Sequence, residues 1–128
     1  MIFDKRESGQ SVSPSRSEIA DALACSFEIE SLVGETEQYR EMCRIIADVF
    51  ATHPDCLMHV AGKTMTTKEV QDMYRNLTGA HLEMVAIEVN SQTEHIKNPY
   101  AYLRTSLFNA PMKLTTYYTN QVNADFGG

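Results

Sequence analysis

The chain has 128 residues, of which 43% are hydrophobic, and it carries a formal net charge of −6 at pH 7. This length and composition fit one domain with a short tail and a core of ordinary size. The negative charge argues against binding of double-stranded DNA, which depends on cations that neutralise phosphates, and the lack of a long apolar run or a secretory signal predicts a cytoplasmic protein that spans no membrane.

The first segment, residues 1–16, is rich in charged residues and serine and contains Pro14. This composition predicts a flexible linker or tail, followed by one folded domain over residues 17–128. Ser17 is expected to cap a first helix over about residues 18–25. One or two further helical turns over residues 27–33 should end at Gly34.

A longer helix is predicted from Thr36, as its cap, to about Thr52, where His53 and Pro54 end it. Its apolar residues recur at helical spacing and should face the core. They are Tyr39, Met42, Cys43, Ile46, Val49 and Phe50.

The residues at positions 57–60 and 64–66 are typical of short strands, and together they predict a small β-hairpin with its turn at residues 61–63. Thr66, with Glu69 three residues later, is typical of a capping box that opens the next helix. Thr78 should cap the helix after that, which frays near residues 91–93. The inward positions of these two helices are predicted to be Val70, Met73, Tyr74, Leu77, Leu82, Val85, Ala86 and Val89.

The last third of the chain begins with Asn98 and Pro99, a favourable N-cap followed by a residue suited to the first helical position. The helix should run to about Ala110, where Pro111 stops it. A further helix is predicted beyond, with Leu114, Tyr117, Tyr118 and Val122 at helical spacing. The chain as a whole is therefore predicted to be mainly α, a compact bundle of about five or six helices with one small hairpin.

Several side chains allow a chemical interpretation. His53, Cys56 and His59 are spaced by threes, and with Cys43 they include the ligand types of zinc. The favoured interpretation is structural, because Pro54 breaks any helix that would align them, so we expect no metal and no cofactor. The three cysteines are expected to be reduced and mostly buried thiols.

No pattern indicates catalysis. His81 and His95 have the neighbouring carboxylates Glu83 and Glu94, yet no nucleophile or pocket is apparent, and surface positions on helices are favoured. No phosphate-binding loop or nucleophile elbow occurs. We expect that the chain is not an enzyme.

Two surfaces are candidates for binding a partner. The acidic residues Glu28, Glu30, Glu35, Glu37 and Glu41 could attract a basic protein, although a solvated helix face is the simpler interpretation. The second candidate lies on the C-terminal helices, where aromatic and arginine side chains are typical of interfaces. Its residues are Tyr100, Tyr102, Arg104, Asn109, Tyr117 and Tyr118. The methionines at positions 58, 65, 73, 84 and 112 are interpreted as core fillers.

The C-terminal segment resembles the C-terminal domain of RepA-type plasmid replication initiators, whose N-terminal domain is a winged helix. The matching stretches are residues 98–103, with the sequence NPYAYL, residues 107–111, with the sequence LFNAP, and the pairs Tyr117–Tyr118 and Val122–Asn123. It is more distantly similar to the C-terminal domain of DnaD-like primosome proteins, through Tyr102, Leu107 and Asn109. The initiator family has a flexible linker before this domain, so the resemblance implies that the chain belongs to a longer or truncated initiator.

The resemblance implies a protein-interaction domain of a plasmid or mobile-element replication initiator. Its partner would be host replication machinery, either primase or the helicase-loading apparatus. The alternatives are a single-stranded nucleic-acid-binding module that uses Lys97, Tyr100, Arg104 and Lys113, and a purely structural or oligomerisation domain. The charge balance favours the first hypothesis, with little or no binding of double-stranded DNA by this chain alone.

Overall fold

The structure is a computed structural model that describes residues 14–127, with side chains described as far as Lys113. In chain order the elements are α1 (Arg16–Phe27), a 3-10 turn (Ile29–Ser31), α2 (Thr36–Ala51), β1 (Leu57–Val60), β2 (Lys63–Thr66), α3 (Thr67–Tyr74), α4 (Gly79–Asn90) and α5 (Pro99–Gly127). The described part is mainly helical with one two-stranded antiparallel sheet, which confirms the predicted class. Within it, no helix combines the length and the hydropathy that a membrane crossing needs.

Helix α2 is the centre of the fold and contacts α1, α3, α4 and α5. Its apolar residues follow the helical repeat, so one broad side is buried. The buried residues of α2 are Tyr39, Met42, Cys43, Ile45, Ile46, Ala47 and Val49. Each large apolar side chain removed from water contributes roughly 1.5–3 kcal/mol, so this side of α2 is a major source of stability. The predicted stripe is confirmed except at Phe50, which is only half-buried.

Helix α1 begins two residues earlier than expected and is capped by Ser15, not Ser17. The Ser15 Oγ accepts a hydrogen bond from the Glu18 backbone N–H at 3.2 Å, and the Glu18 carboxylate accepts one from the Ser15 N–H at 2.8 Å. This reciprocal capping box satisfies two backbone donors, which a cap at Ser17 could not do with Glu18. The prediction for residues 1–13 lies outside the described residues.

No residue of α1 is fully buried. The helix packs on the core through the half-buried side chains of Leu23, Ala24 and Phe27. Ala20 and Ala24 line a small recess above Cys43 of α2, whose side chain is fully buried. Helix α1 therefore lies as a cover over this part of α2.

The predicted hairpin over residues 57–66 is confirmed, with Leu57 paired to Thr66 and Val60 to Lys63. Its two turn residues, Ala61 and Gly62, both have positive φ, of 57° and 78°. Positive φ at both positions matches the right-handed twist of the strands. The Ala61 N–H also donates to the Thr105 hydroxyl of α5 at 3.1 Å, which fixes the hairpin tip to that helix.

Helix α3 connects the hairpin to the end of α2. The buried Gln71 side chain donates from Nε2 to the carbonyl oxygens of Val49 and Thr52, at 3.0 and 3.1 Å. The Val49 carbonyl also accepts the Thr52 N–H at 3.2 Å, and both acceptors lie at the C-terminus of α2, where carbonyls lack the usual helical partners. A side chain from a later helix thus completes the C-terminus of α2.

Helix α5 corrects the prediction that Pro111 ends a helix. It runs from Pro99 to Gly127 with Pro111 inside it. Proline has a φ compatible with a helix, but it cannot donate to the carbonyl of Leu107 and its ring crowds that group. The helix therefore continues past Pro111 at the loss of one backbone hydrogen bond.

Candidate functional site

The start of α5 is fixed as the sequence predicts. The Asn98 side chain accepts a hydrogen bond from the Ala101 N–H at 3.1 Å, and the helix begins at Pro99. Leu103, Leu107 and Ala110 form the buried stripe of the helix, whereas Ala101 is exposed. The buried stripe fixes the rotation of α5 about its axis, and therefore the side of the helix on which each candidate binding residue lies.

Tyr100 and Arg104 are neighbours, as their spacing of four residues indicates. The Arg104 guanidinium carbon lies 4.9 Å from the centre of the Tyr100 ring, a cation–π contact. The Tyr100 hydroxyl donates to the carboxylate of Asp48 in α2, and the same carboxylate is 2.6 Å from Nε of Arg16 in α1. Three helices therefore meet at this point.

Burial raises the pKa of Tyr100, and the hydrogen bond to Asp48 raises it further, while Arg104 opposes the shift. The phenol therefore remains neutral and acts as a donor. The Arg104 Nε is buried without a hydrogen-bond partner among the described residues. The side chains of Tyr100 and Arg104 are both half-buried. They are therefore less exposed than the sequence suggested, and they serve partly to join α5 to α2.

Tyr102 and Asn109 lie on a different side of α5. A step of two residues along a helix turns by roughly 200°, and a step of seven returns to nearly the same direction. Tyr102 is therefore turned away from Tyr100. Asn109, seven residues after Tyr102, lies on the same side of the helix as Tyr102. Tyr117 and Tyr118 belong to α5, but their side chains lie outside the described residues. The structure thus brings together Tyr100 with Arg104, and separately aligns Tyr102 with Asn109.

A groove of about 560 Å³ lies between the hairpin, α3 and α5. Apolar side chains from three elements line it, together with polar groups. The lining residues are Ala61, Lys63, Thr64, Met65, Glu69, Met73, Phe108, Asn109 and Met112. Met112, expected as a core filler, is 66% exposed. The sequence did not indicate this groove, because its methionines are distant in the chain and meet only through the docking of the hairpin.

The acidic residues of α2 are partly neutralised within their own helix. Arg44 pairs with Glu37 at 3.2 Å and with Glu41 at 2.7 Å, and Arg40 lies 3.8 Å from Glu30. These are exposed pairs, which contribute little to stability. Glu28 and Glu35 have no ion pair within the part of the chain that the structure describes.

His81 is buried, which corrects the expectation of a surface histidine. Its Nδ1 accepts a hydrogen bond from the Thr78 backbone N–H at 2.9 Å, and it forms a reciprocal capping box at the start of α4. Burial lowers the pKa of His81, so the neutral ring is favoured. Histidine is not one of the usual partners in this motif, so the sequence pattern alone did not reveal the role.

The remaining candidates for metal binding are dispersed. His53, Cys56 and His59 are exposed and Cys43 is buried, and the structure forms no group of three or more potential ligands within the residues it describes. Cys25 and Cys56 are exposed free thiols, which corrects the expectation of mostly buried cysteines. Burial raises the pKa of Cys43 to about 11, against the lowering effect of Arg40 and Arg44.

The fold and the site together define a mainly helical domain with a docked hairpin and an open, methionine-lined groove. Residues 8–128 match a family of unknown function, DUF6017, and because the match spans most of the sequence, the chain belongs to that family. No curated protein and no solved structure matches the chain.

Proposed function

We propose that this chain is a protein-interaction domain that recruits host replication machinery to a plasmid or mobile-element replication initiator. The observation that carries the proposal is that Phe108 and Asn109 line the groove between the hairpin and α5. These two residues belong to the segment that resembles RepA-type initiators. The segment that suggests the function is thus the one that forms a concave apolar surface.

The groove has the chemistry of a protein-binding surface. Met65, Met73 and Phe108 supply apolar contacts, while Lys63 and Glu69 add charged groups of both signs. Methionine side chains are flexible and adapt to different partners. Interface cores are enriched in methionine and aromatic residues, so an apolar side chain of primase or of the helicase-loading apparatus is the proposed occupant.

The other residues proposed to bind the partner have distinct parts in this arrangement. Tyr102 and Asn109 lie on one side of α5, so they extend the groove along the helix. Tyr100, which donates to Asp48, and Arg104, which lies over the Tyr100 ring, are outside the groove and would form a separate contact. Tyr117 and Tyr118 would continue the contact along the C-terminal part of α5. A non-enzymatic role is part of the same proposal.

The alternative of a single-stranded nucleic-acid-binding module has less support. Lys113 is engaged by Glu88 at 2.8 Å, and the Tyr100 ring is covered by Arg104. Stacking of a base needs an available aromatic face, and phosphate binding needs uncompensated cations. Of the four residues considered for this role, Lys97 is the one exposed cation without an ion pair among the described residues.

Direct binding to purified primase and to the purified helicase-loading protein of the organism that carries the gene tests the proposal. The double variant Asn109→Ala, Met112→Ser should weaken binding at least about tenfold, since hot-spot side chains contribute more than about 1 kcal/mol each. The variant Leu57→Ser, at an exposed position that does not line the groove, is the control. Failure of the unaltered chain to bind either protein would contradict the proposed function. Binding that both variants leave unchanged would move the contact away from the groove.

A further inference from the structure

A second surface, formed by other elements, has features of a docking site. Val33 lies in the loop before α2, and Ile87 lies in the middle of α4. Their side chains are 81% and 70% exposed. Single exposed apolar residues are common and need no explanation, so the argument depends on how these two are held and on what surrounds them.

Hydrogen bonds to both its N–H and its carbonyl group hold the backbone of Val33 in place. Its N–H donates to the Glu83 carboxylate of α4 at 2.9 Å, and its carbonyl accepts a hydrogen bond from the Tyr39 hydroxyl. Burial raises the pKa of Tyr39, and the nearby Glu83 carboxylate raises it further, so the phenol keeps its proton for this bond. An exposed apolar side chain is therefore displayed on a rigid loop.

Ile87 lies one helical turn after Glu83, which is the residue that binds the Val33 backbone. Residues four apart on a helix share a side and are separated by about 6 Å along its axis. Val33 and Ile87 therefore each lie next to Glu83. Gln38 and Asn90 close the far side of this surface with a reciprocal pair of amide hydrogen bonds, of 3.1 and 3.3 Å.

The loop is also packed tightly against α4. At Gly79 an added Cβ would lie 3.0 Å from Leu32 Cδ2, so glycine allows the close approach of the loop. Val33 is β-branched and has few rotamers, so little side-chain entropy is lost when it is covered. Pre-organised apolar groups of this kind contribute to binding at low entropic cost.

The charge of the surroundings indicates the kind of partner. Residues 28–38 and helix α4 contain six glutamates and no lysine or arginine, namely Glu28, Glu30, Glu35, Glu37, Glu83 and Glu88. Arg40, Arg44 and Lys113 from outside these segments neutralise Glu30, Glu37 and Glu88. Glu35 and Glu83 have no ion pair among the residues that the structure describes; Glu83 binds the Val33 N–H and Glu35 is two residues from Val33 in the chain.

We propose that Val33 and Ile87, with Glu35 and Glu83 beside them, form a docking surface for a basic amphipathic helix of a partner protein. The apolar side of such a helix would cover Val33 and Ile87, and its lysine or arginine residues would meet the two carboxylates. A second copy of this chain fits poorly, because it would bring acidic groups against acidic groups. This surface does not depend on the groove or on the function proposed above.

Two synthetic amphipathic helical peptides test the proposal. They share the same leucine positions and differ in having lysine or glutamate at the polar positions. The lysine peptide should bind the full chain and shift the amide NMR signals of Val33, Glu35 and Ile87 most strongly. Its affinity should fall as salt is raised, because surface charges are screened.

Three variants separate specific docking from general attraction to an acidic protein. The double variant Val33→Ser, Ile87→Ser should lower the affinity for the lysine peptide at least about tenfold. The control Leu57→Ser removes an apolar side chain that is also 70% exposed and should leave this affinity unchanged. The charge variant Glu35→Gln, Glu83→Gln should weaken binding and flatten its salt dependence. Its control removes two charges elsewhere, in Asp55→Asn, Glu94→Gln, and should bind better than the charge variant.

Several results would overturn the proposal. Equal binding of the glutamate peptide, equal effects of the two charge variants, or NMR shifts centred on the groove would each do so. The same holds for a lysine peptide that does not bind at about 1 mM, the weak limit of specific recognition. A dimer seen by sedimentation and abolished by Val33→Ser, Ile87→Ser would identify a second copy as the occupant instead. None of these outcomes depends on primase or helicase-loading proteins, so failure here leaves the proposed function to its own test.

Discussion

At the scale of single residues, His81 shows how a side chain completes backbone hydrogen bonding at a helix start. The Nδ1 atom must be unprotonated to accept the Thr78 N–H. Protonation of that atom would remove the acceptor and place a charge in a buried position. The residue therefore couples the stability of α4 to pH.

We predict that the free energy of unfolding falls as the pH decreases below about 6.5, the ordinary pKa of histidine. The pKa of His81 is lowered in the folded chain, so the unfolded chain binds the proton first and the folded state loses stability on acidification. From pH 7.5 to 5.5 the contribution of His81 should be at most about 1.4 kcal/mol. Urea unfolding at the two pH values measures this difference in the free energy of unfolding.

The control for this prediction is His81→Gln. Glutamine does not titrate and is a favoured partner in a capping box, so it keeps the acceptor without the charge. The variant should remain folded and lose most of the difference between the two pH values. An unchanged pH dependence would assign the effect to another titrating group.

At the scale of secondary-structure elements, the sequence predicted what depends on local patterns. The stripe of α2 apart from Phe50, the hairpin over residues 57–66 and the cap at Asn98 were correct, because each depends on neighbours within a few residues. The methionine groove and the bond between Tyr100 and Asp48 were not predictable, because they join residues distant in the chain. Helix α5 was divided wrongly at Pro111, since local propensity does not determine whether a helix continues.

We predict that Pro111→Ala stabilises the chain. Alanine restores the backbone N–H that can donate to the Leu107 carbonyl and removes the ring that crowds it, a gain of about 1–3 kcal/mol in a helix interior. The helical signal in circular dichroism should not decrease, and the urea midpoint should rise. A lower midpoint would mean that Pro111 makes packing contacts that outweigh the missing hydrogen bond.

At the scale of the whole molecule, α2 supports the other elements and the two proposed surfaces lie on different combinations of them. The groove depends on the hairpin, α3 and α5, whereas the acidic surface depends on α4 and the loop before α2. A variant on one surface can therefore be tested without disturbing the other. Together, the two proposals would make the domain an adaptor with one apolar and one acidic binding surface.

Because α1 covers Cys43, the reaction rate of this thiol can report how often α1 detaches from the rest of the domain. The pKa of about 11 keeps the buried thiol protonated, so it should react with a disulfide reagent only after α1 lifts away. In the variant Cys25→Ser, Cys56→Ser, the labelling rate of Cys43 reports that opening alone. Because α1 has no fully buried residue, we expect an opening free energy below that of global unfolding in urea. Equal values would show that the helix leaves only when the whole domain unfolds.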